Sequence, residues 1–256
     1  RSDVKLLKFE QNTETFEALR LTPQNTQEHY ETVVQAGADL FVIRGASVSA
    51  EHISTSHEPL NLKKFIYELD VPVMVGGVAG YTQAKHLMRT GAAGVLVGFG
   101  GGSAMTTRKG LGISAPMATA IADVAAARSD YLDESGGRYV HVIADGGLSR
   151  SGDLVKALAL GADAVMIGAP LARASEAPGQ GWYWGNEAHS VDFPRGVRTP
   201  LGVVGTLEEV LYGPSHHVDG TSNIVGALKR AMATCGYLDL KKFQKAEMTL
   251  VPEYRG

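Results

Sequence analysis

The sequence predicts an α/β fold in which a parallel sheet alternates with helices and closes as a (β/α)8 barrel. Three observations carry that prediction. Three segments share one pattern: QAGADLFVI at 35–43, RTGAAGVLVG at 89–98 and ALGADAVMIG at 159–168. In each, a helical stretch ends at Gly37, Gly91 or Gly161, and a short apolar run begins two or three residues later. Glycine takes the left-handed position just past a helix, and an unbroken apolar run suits a strand buried on both faces. Helical and strand patterns then alternate strictly, which implies parallel pairing. Finally, glycines recur at the carboxyl ends of successive strands, in GGV at 76–78, GFGGGS at 98–103, DGG at 145–147 and IGA at 167–169. A barrel rings one mouth with such loops, whereas an open doubly wound sheet gathers them at one switch point.

The elements follow in order. EALRLT at 17–22 precedes a helix over 23–36 that opens on Pro23, where the missing N–H is no loss. The strand of 35–43 leads through the amphipathic LNLKKFIYEL at 60–69 to VPVMVGG at 71–77. TQAKHLMRT at 82–90 and the strand GVLV come next, then an alanine-rich helix over 117–134, YVHVIADGG at 139–147, SGDLVKALAL at 151–160 and the strand of 159–168. The tail from about 173 is less regular. These are six strands, so an eight-stranded barrel needs two more upstream of Arg1. The opening RSDVKLLKFEQNTETF is polar, weakly periodic and without an initiating methionine. The expectation is one barrel domain over 1–256, shortened at its N-terminus.

Bulk composition narrows the function. The 256 residues are 44% apolar and 20% charged with net charge −3, which gives no general reason to bind nucleic acid or an anionic membrane. The longest stretch of low polarity, 91–104, is shorter than the roughly 18 apolar residues of a membrane span. One cysteine, Cys235, rules out an intramolecular disulfide, and no secretory signal pattern opens the chain. A cytoplasmic location is expected.

Chemistry concentrates in the glycine loops. The stretch GFGGGSAMTTR at 98–108 allows close backbone approach to an anion and carries hydroxyls, yet places Met105 at its centre. In ADGG at 144–147 and MIGA at 166–169, the N–H groups of Gly146, Gly147 and Gly168, with the helix start near Ser151, suit a phosphate. Asp145 suits a sugar hydroxyl. Glycine for tight turning alone is the alternative, and three such loops together favour phosphate. His216 and His217 are adjacent on one loop, with no second cluster of ligand spacing, and read as exposed loop rather than metal ligands. Trp182, Tyr183 and Trp184 suit either base stacking or covering the mouth, and spacing does not choose between them. Cys235 has no histidine or aspartate beside it and reads as a structural thiol.

Together these motifs resemble the IMP dehydrogenase and GMP reductase family over about 17–251. The densest match is VIADGGLSRSGDLVKALALGADAVMIGAPLARASEAPG at 142–179, followed by GPSHHVDGTSNIVGALKRAMATCGYLDLKKFQKAEM. LMRTGAAGVLVG, DYLDESGGRYVHVIADGG and GTLEEVLYGPS are similar to an IMP-dehydrogenase-related subfamily of actinobacterial type. The resemblance implies a (β/α)8 barrel without a CBS domain, a purine nucleoside monophosphate such as IMP as ligand, NAD as cofactor and a homotetramer. It places Ser103, Gly147, Gly168 and Tyr183 around the 5′-phosphate, Asp145 on the ribose, and Gly146 and Gly185 among the substrate-binding residues. Thr107 matches the threonine that helps activate water. The carbonyls of Gly100, Gly102 and Met105 match a loop for a monovalent cation such as K⁺.

Several positions depart from the family pattern. Met105 stands at the catalytic cysteine of G-x-G-S-x-C-x-T. Ala169 replaces a second phosphate serine, and Gly77 an asparagine beside the reacting base. Arg195 replaces a Glu or Gln at the purine N1 edge, Arg44 stands at the aspartate of the cofactor-side LDS motif, and the mobile flap is reduced to EAHSVDF. Hydride leaves purine C2 only after a nucleophile adds there; a thiolate does so to give a neutral thioimidate, whereas a thioether has no proton to lose and would give a sulfonium. Two principal readings follow: NAD-dependent oxidation of IMP to XMP, as the resemblance implies, or a purine nucleotide binder without that chemistry. GMP reduction uses the same cysteine and ranks below both, and altered chemistry on a related nucleotide lacks a nucleophile.

Overall fold

A computed structural model describes residues 5–11, 14–45, 58–184 and 198–249. Strand β1 (Lys5–Gln11) runs antiparallel to β2 (Glu14–Leu21), and helix α1 (Pro23–Gln35) leads to β3 (Leu40–Arg44). Then come α2 (Leu62–Glu68), β4 (Val73–Val78), α3 (Tyr81–Arg89) and β5 (Gly94–Val97). The short α4 (Thr107–Leu111) and long α5 (Met117–Glu134) precede β6 (His141–Asp145), α6 (Ser151–Ala159), β7 (Ala164–Met166) and α7 (Ala169–Ala172). The tail adds a small hairpin, β8 (Trp182–Tyr183) with β9 (Thr199–Pro200), and helices α8 (Leu207–Leu211), α9 (Ile224–Thr234) and α10 (Leu240–Phe243).

The strand order is β1-β2-β3-β4-β5-β6-β7, with every pairing from β2 to β7 parallel. The six predicted strands are therefore present in the predicted order, as a curled half-barrel. This sheet has seven strands among the described residues, and an eight-stranded barrel is not seen. The polar, weakly periodic opening, to which the sequence assigns no element, supplies β1. Its mixed Lys, Glu and Gln composition is that of an edge strand, where charge discourages pairing with other chains.

Alternation along each strand divides the core into two layers. Phe41, Ile43, Val73, Val75, Val95, Val97, Val142 and Ala144 pack against the helices. Ala18, Val42, Leu96 and Ile143, with Leu40, Met74, Ala164 and Met166 beside them, fill the opposite, concave face. Both faces are covered, which is why the strands read as continuous apolar runs. The tail packs on α6: Leu158, Ala159 and Phe243 are buried together, with Leu228, Met232 and Tyr237 against them. No described helix is long and apolar enough to cross a membrane.

One carboxylate holds the tail to the amino-terminal end of the sheet. Asp163, just before β7, has an 8% exposed side chain. Its oxygens accept from Tyr139 Oη and Lys241 Nζ at 2.6 Å each, from Arg128 at 2.7 Å, from the Val142 amide at 2.9 Å and from Gln244 Nε2 at 3.1 Å. Burial pushes the Asp163 carboxyl up, but the hydrogen bonds from Lys241 and Tyr139, the Val142 amide and the Arg128 charge outweigh it and hold the pKa at about 2, against an ordinary 3.8. Because the folded value lies below the unfolded one, the stabilisation is complete above about pH 4 and is lost as pH falls toward 2, to the extent of about 2 kcal/mol. Asp163→Asn leaves two cations facing a neutral amide, and we expect it to cost about 3 kcal/mol at pH 7. Thermal melts of the two proteins at pH 7 and pH 3 test this: the gap between their midpoints should narrow at the lower pH, and an equal gap at both would refute the charge argument.

Candidate functional site

Five strand ends meet at the carboxyl edge of the sheet. Extending the alternation beyond the concave core layer places Arg44 after Val42, Gly76 after Met74, Gly98 after Leu96, Asp145 after Ile143 and Gly168 after Met166. The two charged residues bond each other: Arg44 Nε donates to Asp145 Oδ2, and the side chains are 18% and 14% exposed. Strands three places apart in a flat sheet stand roughly 14 Å from one another. Curling of the sheet brings β3 and β6 within reach.

The glycines between them are required by contact. A side chain at Gly76 would collide with Leu96, one at Gly77 with the Gly98 carbonyl, and one at Gly98 with the Asp145 carbonyl. Gly98, Gly146 and Gly147 also have φ of 141°, 111° and 73°. The loop 98–103 then lies directly on the 145–147 loop, so that a Cβ at Gly101 would stand 3.3 Å from Gly146 C and 3.4 Å from Gly147 N. Of the two sequence alternatives, these contacts account for close turning.

Within the loop, the Met105 amide donates to the Gly102 carbonyl at 3.0 Å, closing a turn that exposes Ser103 and half-buries Met105. The carbonyl of Gly102 thus already serves the loop's own turn. Thr107 starts α4, is 5% exposed, and its Oγ1 has no hydrogen-bond partner among the described residues. A buried hydroxyl left so is costly.

The hairpin β8–β9 closes over both halves of the glycine cup. Tyr183 and Thr199 are paired in register. The Tyr183 hydroxyl lies against Gly168, 2.8 Å from where a Cβ would stand, and Thr199 Oγ1 donates to the Ser103 carbonyl at 3.3 Å. Trp182 and Trp184 instead hold the Arg198 guanidinium, at 5.6 and 5.0 Å from their ring centroids. Such cation–π contacts are worth about 0.5–1 kcal/mol each at exposed sites. The partner in this stack lies 14 or more positions along the chain, beyond any local sequence signal.

The structure brings Ser103, Met105, Gly146, Gly147, Gly168 and Tyr183 to one edge, with Ala169 opening α7 beside them, and Arg44, Gly77 and Asp145 behind. It does not bring the Ser151 amide there: that N–H donates to the Gly220 carbonyl at 2.8 Å, so the start of α6 is capped by the tail. Gly185 and Arg195 lie outside the described residues. Two adjoining surface cavities of about 580 and 680 Å³ lie elsewhere, between α2 and α3 around Asn61, Lys63, Arg89 and Thr90, and hold none of the predicted site residues.

The family model described as IMP dehydrogenase / GMP reductase domain matches residues 17–198. The chain belongs to this family. It is 57% identical over 236 residues to an uncharacterized oxidoreductase of Mycolicibacterium smegmatis, covering 91% of this chain and 63% of that protein. It is 31% identical over 250 residues to an inosine-5′-monophosphate dehydrogenase of Aquifex aeolicus, covering 88% of this chain and 47% of the other. A crystal structure of an IMP dehydrogenase/GMP reductase-like protein from Corynebacterium glutamicum superposes with a TM-score of 0.82 at 56% identity, over 90% of this chain and 60% of that one. The chain thus spans less than two thirds of the length of these relatives.

The glycine contacts give a direct test. Gly98→Ala places a methyl group on the Asp145 carbonyl at a φ that alanine avoids, and should cost more than about 3 kcal/mol or abolish soluble protein. Gly152→Ala in α6 meets open space and should stabilise by about 0.5 kcal/mol. Chemical denaturation of both reads the difference; a Gly98→Ala protein as stable as wild type would show that the loop does not depend on this approach.

Proposed function

We propose that the protein binds a purine nucleoside 5′-monophosphate at the carboxyl edge of its sheet, as a member of the family that lacks the covalent step. The observation that carries the proposal is the β8–β9 hairpin. One face of it touches Gly168 through Tyr183 and Ser103 through Thr199, so the residues matching the family's phosphate ligands share one enclosure. In this reading Ser103, Gly146, Gly147, Gly168 and Tyr183 hold the phosphate, and Asp145 accepts from the ribose. The base extends toward Gly77 and Met105, with Arg195 at its edge. The half-barrel is then part of a (β/α)8 barrel, and the molecule works as a cytoplasmic homotetramer.

The residues present do not fit the family's use of NAD. Met105 cannot add to purine C2 and leave a neutral intermediate, and Arg44, at the cofactor-side aspartate, is committed to Asp145. We derive no step through that cofactor. K⁺ would have neutral carbonyls of one loop as its ligands, those of Gly100, Gly102 and Met105. The second reading, an NAD-linked oxidation of IMP to XMP, is favoured by the buried hydroxyl of Thr107 and by the oxidoreductase names of relatives such as the one from M. smegmatis.

Two measurements on the full-length protein separate these readings. IMP, GMP or XMP at about 100 times its dissociation constant should stabilise the protein by about 2.7 kcal/mol, raising the melting midpoint by about 5 °C or more. IMP with NAD should give no absorbance from NADH under conditions in which an authentic IMP dehydrogenase turns over. Absence of any shift with the three nucleotides would overturn the binding proposal, and NADH formation would establish the second reading in its place.

A further inference from the structure

Arg44 and Asp145 are 101 positions apart in sequence and end strands separated by two others, yet each is the other's hydrogen-bond partner among the described residues. The path between them is clear because the inward positions of the intervening strands are Gly76 and Gly98. Any side chain there would block it, besides colliding with Leu96 or the Asp145 carbonyl. The contact is single: Nε engages Oδ2. A guanidinium bonded to one carboxylate oxygen fixes the plane of the carboxylate and leaves the other oxygen with its acceptor positions. With both side chains more than four-fifths buried, the pair is stiff and poorly screened.

We infer that Arg44 is a positioning residue that sets Asp145 to read both hydroxyls of a ribose, so that the site selects ribonucleotides over 2′-deoxyribonucleotides. This rests on the nucleotide reading above. Asp145 directly precedes Gly146 and Gly147, so a sugar whose phosphate meets their amides must lie over its carboxylate. A carboxylate free to rotate satisfies one hydroxyl in many orientations. A carboxylate held in one plane satisfies two adjacent hydroxyls together, and loses a charge-assisted hydrogen bond when the 2′ hydroxyl is missing.

The test is calorimetric titration of the full chain with IMP and with 2′-deoxy-IMP. Wild type should favour IMP by about tenfold or more, the factor expected for one hydrogen bond to a charged group. Arg44→Met should bring the two affinities to within about threefold, chiefly by weakening IMP. Arg44→Lys keeps the charge without the planar fork and should restore part of the preference. Should Arg44→Met fail to fold because it leaves Asp145 buried alone, the double variant Arg44→Met/Asp145→Asn removes both charges and should bind the two nucleotides equally. A wild type that binds both nucleotides alike, or a folded Arg44→Met that keeps the full preference, overturns the inference while leaving the nucleotide site intact. A wild type that binds neither overturns the nucleotide reading itself.

Discussion

Backbone packed against backbone, at the carboxyl ends of β4, β5 and β6, is the constraint from which the rest of this edge follows. Gly76 lies on Leu96, Gly77 on the carbonyl of Gly98, and Gly98 on that of Asp145, with no room for a Cβ at any of the three. Strand ends this close draw the sheet into a curl, and the curl brings Arg44 to Asp145. The same approach leaves amide groups of the 98–103 and 145–147 loops side by side at the surface. The close-lying glycine turns there are a by-product of how the strands are allowed to meet.

The two ends of the sheet do different work. At the amino-terminal end, Asp163 gathers donors from β6, α5 and α10 around one buried carboxylate, and all of its acceptor capacity is spent on the protein. At the carboxyl end, Asp145 is bonded through a single oxygen and a threonine hydroxyl is buried without a partner among the described residues. The carboxylate that fastens the tail is fully satisfied, whereas polar groups at the other end keep hydrogen-bonding capacity open among the described residues. This division agrees with the general placement of sites on parallel α/β sheets.

Much of this was legible in the sequence because it depends on short-range patterns. Strand and helix order follow from the glycine that ends each helix and the apolar run after it, and the two core layers follow from simple alternation. The departure at Met105 is legible once the loop is set against the family pattern, since a thioether cannot do what the thiol of that pattern does. What was not legible depends on distance along the chain. Asp163 looked like one polar residue of an αβ junction, and its Lys241 partner comes 78 positions later. Arg44 looked like a replaced cofactor contact, and only the curl shows that it faces Asp145. The strand β1 escaped notice because the opening of the chain is polar and only weakly periodic.

The Trp182–Arg198–Trp184 stack has an optical consequence. The protein contains two tryptophans, and both are in this stack, on either side of the tyrosine that lies over Gly168. All of its indole fluorescence therefore arises within one residue of Tyr183. The stack lies wholly within the hairpin, so any event that moves the hairpin relative to the cup changes the surroundings of both indoles together, and with them the emission of the whole molecule. The chain carries its own label, placed by the fold at the one position where occupancy of the edge would be felt.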